Sequence, residues 1–266
     1  MNHPPTPSNL KNDDVVIAFH DVSYAVSTAN GAHENAVKTI IDNLNFEVRR
    51  GERLILVGRS GCGKTTSLRL INRLIEPTRG EVIVEGTRTI DHDPIALRRR
   101  TGYVIQDGGL FPHFTVRRNV AAVPLLAGWS PERINARVRE MLELVGLSPD
   151  EYADRFPSEL SGGQRQRVGV ARALAIDPPV LLLDEPFGAL DPLTRRTLQS
   201  EFKILCERLK KTVVFVTHDL REALVIGTHI GLMDAGKLVA LGTPHGFMNS
   251  THELARAYLA TLEVEN

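Results

Sequence analysis

Apolar residues in this chain fall into short runs separated by polar, glycine- and proline-containing stretches. Val15-Val16-Ile17-Ala18-Phe19 and the segment Val22 to Val26 have strand character, and Thr39 to Val48 alternates in part before the turn Arg50-Gly51-Glu52. The polar stretch Ser27 to Asn35 reads as the loop between them, so the opening predicts an antiparallel β-layer. Leu54-Ile55-Leu56-Val57 predicts a strand, and the residues from Thr66 to Ile71 have helical spacing. Glu76-Pro77-Thr78-Arg79-Gly80 breaks the chain, Glu81 to Gly86 predicts another short strand, and Thr101 to Gln106 a strand ending on a polar residue. From about 115 to 160 the pattern is mostly helical, with Pro131-Glu132-Arg133 a helix start and Gly146 a stop.

The last third alternates again. Ser161-Gly162-Gly163-Gln164 leads into a helical stretch from Arg165 to Ile176, and Val180 to Leu183 predicts a buried strand followed by Asp184-Glu185. Leu193 to Leu209 is helical in pattern, and Val213 to Val216 is a strand ending at Thr217-His218-Asp219. Strands alternating with helices, with polar residues at the strand ends, predict a mostly parallel α/β sheet with its site along that edge. No internal repeat is visible. Residues 1 to about 13 carry three prolines without periodicity and predict a disordered lead-in. Residues 251–266 predict a short helical tail.

Composition narrows the class. The chain has 266 residues, 32 basic and 32 acidic, and 42% hydrophobic residues, enough for one large or two small globular domains. A net charge of zero gives no bulk electrostatic reason for a polyanionic partner. Apolar runs are far too short to cross a bilayer, and the polar, proline-rich start does not resemble a signal peptide. With only Cys62 and Cys206, a disulfide framework is excluded and a reducing, intracellular setting is expected.

The chemistry concentrates at Gly58-Arg59-Ser60-Gly61-Cys62-Gly63-Lys64-Thr65, which lies between a strand and a helix. That is the context of a phosphate-binding loop: glycines let successive N–H groups turn toward one anion, and the helix start adds its dipole. Lys64 would reach the β- and γ-phosphates and the Thr65 hydroxyl would sit on Mg²⁺, with Thr66 a further binding candidate. Leu181-Leu182-Leu183-Asp184-Glu185 delivers two carboxylates from a strand end: Asp184 toward Mg²⁺ and Glu185 as general base for the attacking water. Cys62 is either a small residue filling loop space or, beside Lys64 and a helix start, a thiol of lowered pKa whose alkylation blocks nucleotide binding. Arg98-Arg99-Arg100 reads as a solvated basic face.

Leu160-Ser161-Gly162-Gly163-Gln164-Arg165-Gln166-Arg167 resembles the signature motif of ATP-binding-cassette ATPases. Around it, in the family's order, stand the phosphate loop, Gln106, Asp184-Glu185, Ala189-Leu190-Asp191 and His218. The resemblance covers nearly the whole chain. It implies a P-loop NTPase (RecA-like) α/β core with an antiparallel β subdomain and an inserted α-helical subdomain at about 107–165, together spanning 14–250. It implies a dimer in which ATP lies between the phosphate loop of one subunit and Ser161, Gly162, Gly163 and Gln164 of the other. Gln106 would touch Mg²⁺ or the water and report to the helical lobe, His218 would contact the γ-phosphate, and Asp191 would help connect the two sites. The family stacks an aromatic residue on adenine. That position is Val26 here: either Tyr24, on the same face of an extended strand, substitutes for it, or the adenine contact is weaker and purely apolar.

Within the family, a separate cassette with no membrane span and no inserted coiled coil points to an importer subunit. The stretch Ile71 to Gly80, Gly102 to Gln106 with Gly109-Leu110-Phe111-Pro112-His113, and Asn119-Val120-Ala121 with Pro124 resemble the glycine betaine, choline and carnitine (osmoprotectant) importers. Implied partners are a second ATPase subunit, transmembrane permease subunits and, indirectly, an external solute-binding protein. No nucleic acid is expected, and the location implied is the cytoplasmic face of the plasma membrane, held peripherally. The C-terminal CBS modules of several such relatives are not expected in this polypeptide. Two alternatives stand beside this reading: an importer ATPase for another small solute such as an amino acid, and a soluble non-transport cassette ATPase.

Overall fold

The computed structural model describes residues 14–28, 36–188 and 190–263. The expected lead-in, residues 29–35 of the expected loop, Ala189 and the last three residues of the expected tail lie outside them.

Two long strands, β1 (Val15–Thr28) and β2 (Ala36–Arg49), pair antiparallel, and β1 also pairs with β4 (Arg79–Val84). With β5 (Thr87–Arg88) they form a four-stranded sheet in the order β2-β1-β4-β5. The second sheet has six strands: β3 (Arg53–Val57), β6 (Thr101–Val104), β7 (Val180–Asp184), β8 (Thr212–Thr217), β9 (His229–Asp234) and β10 (Lys237–Gly242). Its order is β10-β9-β3-β8-β7-β6, parallel throughout except for the β9–β10 hairpin at one edge.

The three central strands read as unbroken apolar runs because both their faces are covered. Ile55, Val57, Leu181, Leu183, Val213 and Phe215 face one buried cluster, shared with the helical layer. Leu54, Leu56, Val180, Leu182, Val214 and Val216 face another, shared with the antiparallel sheet and α1 (Lys64–Ile71). The helical layer holds α3 (Val116–Leu126), α4 (Pro131–Leu144), the single turn α5 (Pro149–Tyr152) and α6 (Gly162–Leu174). Hydroxyl caps set three of these starts: Thr115, Ser130 and Ser161 accept hydrogen bonds from Arg118, Arg133 and Gln164 N–H. The long helix α7 (Pro192–Leu209) starts on Asp191, which accepts from Leu193 and Thr194 N–H, and leads into β8. Then come α8 (Leu220–Ile226), α9 (Pro244–Met248) and α10 (Glu253–Glu263).

Four features differ from the sequence pattern or were not anticipated by it. The strand expected over Glu81 to Gly86 ends at Val84, because Glu85 (φ 49) and Gly86 (φ 79) form the tight turn of the β4–β5 hairpin. The strand expected to reach Gln106 ends at Val104, its last partner on β7 being Leu183, and Gln106 opens a 3₁₀ turn, Gln106–Gly109. Arg98, Arg99 and Arg100 close an additional helix, α2 (Pro94–Arg100), and are exposed but engaged. Arg98 donates to the Asn72 and Arg73 carbonyls, Arg99 to the Leu126 carbonyl, and Arg100 pairs with Glu85. The β9–β10 hairpin turns on Ala235 (φ 45) and Gly236 (φ 82), a left-handed pair whose first residue is an alanine rather than the usual Asn, Asp or Gly.

Phe215 is fully buried at the centre of β8, with its ring 5.8 Å from that of Phe187. Phe215→Ala is expected to lower unfolding free energy by about 3–5 kcal/mol, read from the urea midpoint at unchanged slope.

Candidate functional site

The parallel ladder brings four loop exits to one edge. Val57 pairs with Thr217, Val216 with Asp184, and Leu183 with Val104, so the chain leaves β3, β8, β7 and β6 at matched heights. Leaving β3, residues 58–63 curl into a loop with Gly61 (φ 81) and Gly63 (φ 105) in the left-handed region. Gly63 needs its missing side chain as well: a Cβ there would lie 2.5 Å from Ile41 Cδ1 and 3.0 Å from the Ile40 carbonyl. The loop is thereby seated on the middle of β2. Within it Arg59, Ser60 and Gly61 are exposed, while Gly58, Cys62, Gly63 and Lys64 are buried.

Lys64 turns its ammonium back over the loop, donating to the Gly58 carbonyl at 2.7 Å and the Arg59 carbonyl at 3.0 Å. Next to it on α1, Thr65 Oγ1 donates to Asp184 Oδ1 at 2.8 Å, and Thr66 is half-buried. The other Asp184 oxygen, Oδ2, accepts a longer bond of 3.4 Å from the Tyr103 hydroxyl. Burial, reinforced by the Asp184 charge, pushes the Tyr103 phenol up to about 12, so it stays a donor. Tyr103 carries little sequence signal of this role: only a polar tip within a strand, whose place beside a candidate metal ligand comes from the fold.

Glu185 follows with φ 43, unusual for a residue with a side chain, and its N–H donates to the Val216 carbonyl at 3.0 Å. That conformation turns its carboxylate to His218, whose Nδ1 lies 3.1 Å from Glu185 Oε2. An ionised carboxylate only accepts, so Nδ1 carries the proton of this bond. A groove of about 840 Å³ runs beside them, lined in part by Arg59, His218, Asp219 and Tyr258.

Ser161, Gly162, Gly163 and Gln164 are brought together elsewhere, at the start of α6. The Ser161 hydroxyl accepts from Gln164 N–H, and the Gln164 amide oxygen accepts from Ser161 N–H, which closes a capping box. Gln164 Nε2 donates to the Tyr152 hydroxyl at 3.1 Å. A Cβ on Gly163 would meet Thr194 Cγ2 at 2.9 Å, so α6 packs closely on the start of α7. Asp191 is committed to capping α7, and those N–H bonds, Thr194 first, hold its carboxyl below the usual range. Gln106 is exposed at the head of its 3₁₀ turn, and the turn is fastened to α6. Arg172 donates to the Gly108 and Gly109 carbonyls at 2.9 and 2.8 Å, and Gly169 lets α6 approach the Gly108 backbone.

Tyr24 pairs with Ile41 on β2, the residue under Gly63, and packs partly buried against the second core cluster. Val26 lies two residues on, paired with Lys38. Cys62 does not have the electrostatics of a reactive thiol. Desolvation raises its pKa and outweighs the lowering by Lys64, so the space-filling reading holds and the lowered-pKa expectation is corrected.

Known proteins match this arrangement over most of the chain. A family model described as ABC transporter matches residues 41–188. The choline transport ATP-binding protein OpuBA of Bacillus subtilis is 51% identical over 213 residues, 80% of this chain and 56% of that protein. The glycine betaine/carnitine/choline transport ATP-binding protein OpuCA of the same organism is 48% identical over 223 residues, 84% of this chain and 58% of that protein. The chain thus spans little more than half the length of these curated relatives. A solved dimeric ATP-binding cassette in a post-hydrolysis state, bound to ADP and Pi, superposes with a TM-score of 0.75 at 33% identity. That match covers 86% of this chain and 98% of the other.

A buried, proton-holding Cys62 makes a direct kinetic forecast. At pH 7.5 a maleimide is expected to label it at least about tenfold more slowly than a free cysteine peptide, followed by mass spectrometry, and urea is expected to abolish the difference.

Proposed function

The chain belongs to the ABC transporter family, and from that premise we propose that it is the ATP-hydrolysing subunit of an importer for a small quaternary-amine osmoprotectant such as choline, glycine betaine or carnitine. The observation that carries the chemical part is the pairing of Thr65 with Asp184 and of Glu185 with His218 around one buried lysine loop. The solute class is supported by the names of the two relatives at 51% and 48% identity. The pairing of two copies is supported by the dimeric cassette of the same fold.

ATP is the substrate in this reading. The N–H groups of the loop and of the start of α1 receive its phosphates, and Lys64 exchanges its loop carbonyls for phosphate oxygens, a stronger charge-assisted bond. Thr65 and Asp184 together offer a hydroxyl and a carboxylate 2.8 Å apart, a hard-oxygen pair that fits Mg²⁺. Mg²⁺, when bound, supplies charge neutralisation to the phosphates, with Thr65, Asp184 and Gln106 the residues to hold it. Tyr103 steadies the second Asp184 oxygen. Glu185 accepts the proton of the attacking water, and its fixed backbone aims the carboxylate. His218 keeps Nδ1–H on Glu185, so donating from Nε2 to the γ-phosphate requires the imidazolium form, with both nitrogens protonated.

The start of α6 would face the other copy's nucleotide, where its free N–H groups and dipole favour an anion. Since Arg172 and Gly169 lock the Gln106 turn to α6, displacement of Gln106 by the substrate moves the helical layer as a body. That layer would press on permease subunits at the cytoplasmic face of the membrane, and an external receptor would bind the solute. Among the described residues no helix is long and apolar enough to cross a membrane.

Glu185→Gln is expected to bind ATP normally, to accumulate as a dimer, and to hydrolyse at least about a hundredfold more slowly. Size-exclusion chromatography with ATP and phosphate release check this. A variant that stays monomeric and turns over like the parent would remove the proposal.

A further inference from the structure

We propose that Arg195 is a positioning residue that holds the His218 turn in register with the loop carrying Glu185, and that Gln199 with Glu222 makes a second tie one helical turn along. The inference rests on the ATPase reading above and assigns the residues that set its geometry.

His218 does little to hold itself in place. Its side chain is 60% exposed, and among the described residues Glu185 is its polar partner. Its position is therefore set by the residues on either side, and both lead to α7. On one side, Asp219 caps α8 by accepting from Arg221 N–H at 2.8 Å, and its own N–H donates to Thr217 Oγ1 at 3.0 Å. Arg195 Nη1 lies 3.8 Å from Asp219 Oδ2, an ion-pair distance at a half-buried place. On the other side, the Thr217 hydroxyl donates to Glu222 Oε2 at 2.6 Å, and Gln199 Nε2 donates to Glu222 Oε1 at 3.1 Å. Thr217, Glu222 and Gln199 are all buried.

Arg195 also grips the other loop. Nη2 donates to the Leu190 carbonyl at 3.0 Å and to the Gly188 carbonyl at 3.3 Å, in the segment that follows Glu185. One planar guanidinium thus spans both segments of the Glu185–His218 pair. Its Nε is buried and, among the described residues, without a hydrogen-bond partner. The side chain is therefore oriented by those two carbonyls and the Asp219 carboxylate, at the cost of one unsatisfied donor. Arg195 and Gln199 stand four residues apart on α7, so they share one face of the helix and meet the His218 turn from successive turns. Leu190, gripped by Arg195, also runs close to the head of α6: a Cβ added at Gly162 would lie 3.3 Å from Leu190 Cδ2.

The test uses the full chain with Arg195→Gln and Arg195→Lys, each alone and in a His218→Ala background. Arg195→Gln is expected to lower kcat about tenfold or more while KM stays within about twofold and thermal midpoint within a few degrees. Arg195→Lys, a point charge without the fork, recovers part of the rate. Because Arg195 acts through His218, the Arg195→Gln change is expected to cost little further in the His218→Ala background. Equal losses in both backgrounds, or a loss that follows KM or the melting temperature, overturn the proposal. A second readout needs no turnover: the His218 imidazole NMR signal, assigned by its disappearance in His218→Gln, is expected to shift or broaden in Arg195→Gln. An unmoved signal refutes the positioning role. Absent ATP hydrolysis by the parent chain would refute the functional reading instead, and the imidazole signal would still decide this one.

Discussion

Register in the parallel sheet is the constraint from which the site follows. Strands rise by about 3.3 Å per residue and alternate faces, so a one-residue slip of β7 against β8 would turn Asp184 away from Thr65 and aim its neighbour into the core. Such a slip is prevented because both faces of β3, β7 and β8 are buried, odd and even positions each belonging to a different apolar cluster. The carboxylate edge is thus set by packing several residues below it. The paired side chains at the edge are a threonine, an aspartate, a glutamate and a histidine, each within one or two residues of a strand or helix end.

Much of this was legible in the chain itself. The glycine loop, the strand ending in Asp184-Glu185, and the serine-glycine start of α6 announce themselves because each couples an unusual backbone need to a specific local residue type. The same holds for the elements with strong periodicity, β3, β7, β8 and α7. What escaped depends on contacts distant in sequence. Tyr103 acquires meaning only when β6 is placed beside β7, and Arg195 only when α7 is laid between two loops. The exact end of β6 was hidden too, since Ile105 and Gln106 look like strand residues until the glycine pair at 108 and 109, both at positive φ, bends the chain onto α6. Cys62 shows the opposite error: its neighbours suggest activation, but burial outweighs them.

The polar groups beneath the edge divide into two kinds. Glu222 is buried with two hydrogen-bond donors, and desolvation still raises its pKa, so part of the fold's stability is lost as pH rises through that raised value. Tyr103 is buried as a neutral donor and carries no such penalty at neutral pH. A neutral donor supports the Asp184 carboxylate, while a costly buried acid anchors the His218 turn.

The ammonium of Lys64 is already out of water and bound to two carbonyls of its own loop. An incoming anion therefore meets a cation whose hydration has been surrendered during folding, and the exchange it offers is one set of short bonds for another. A lone weak acceptor gains too little from that trade to displace the carbonyls, whereas a polyanion that also engages the surrounding N–H groups gains on every bond at once. Under the proposed ATPase reading, the folded loop thereby favours a phosphate chain over a simple carboxylate before any ligand arrives.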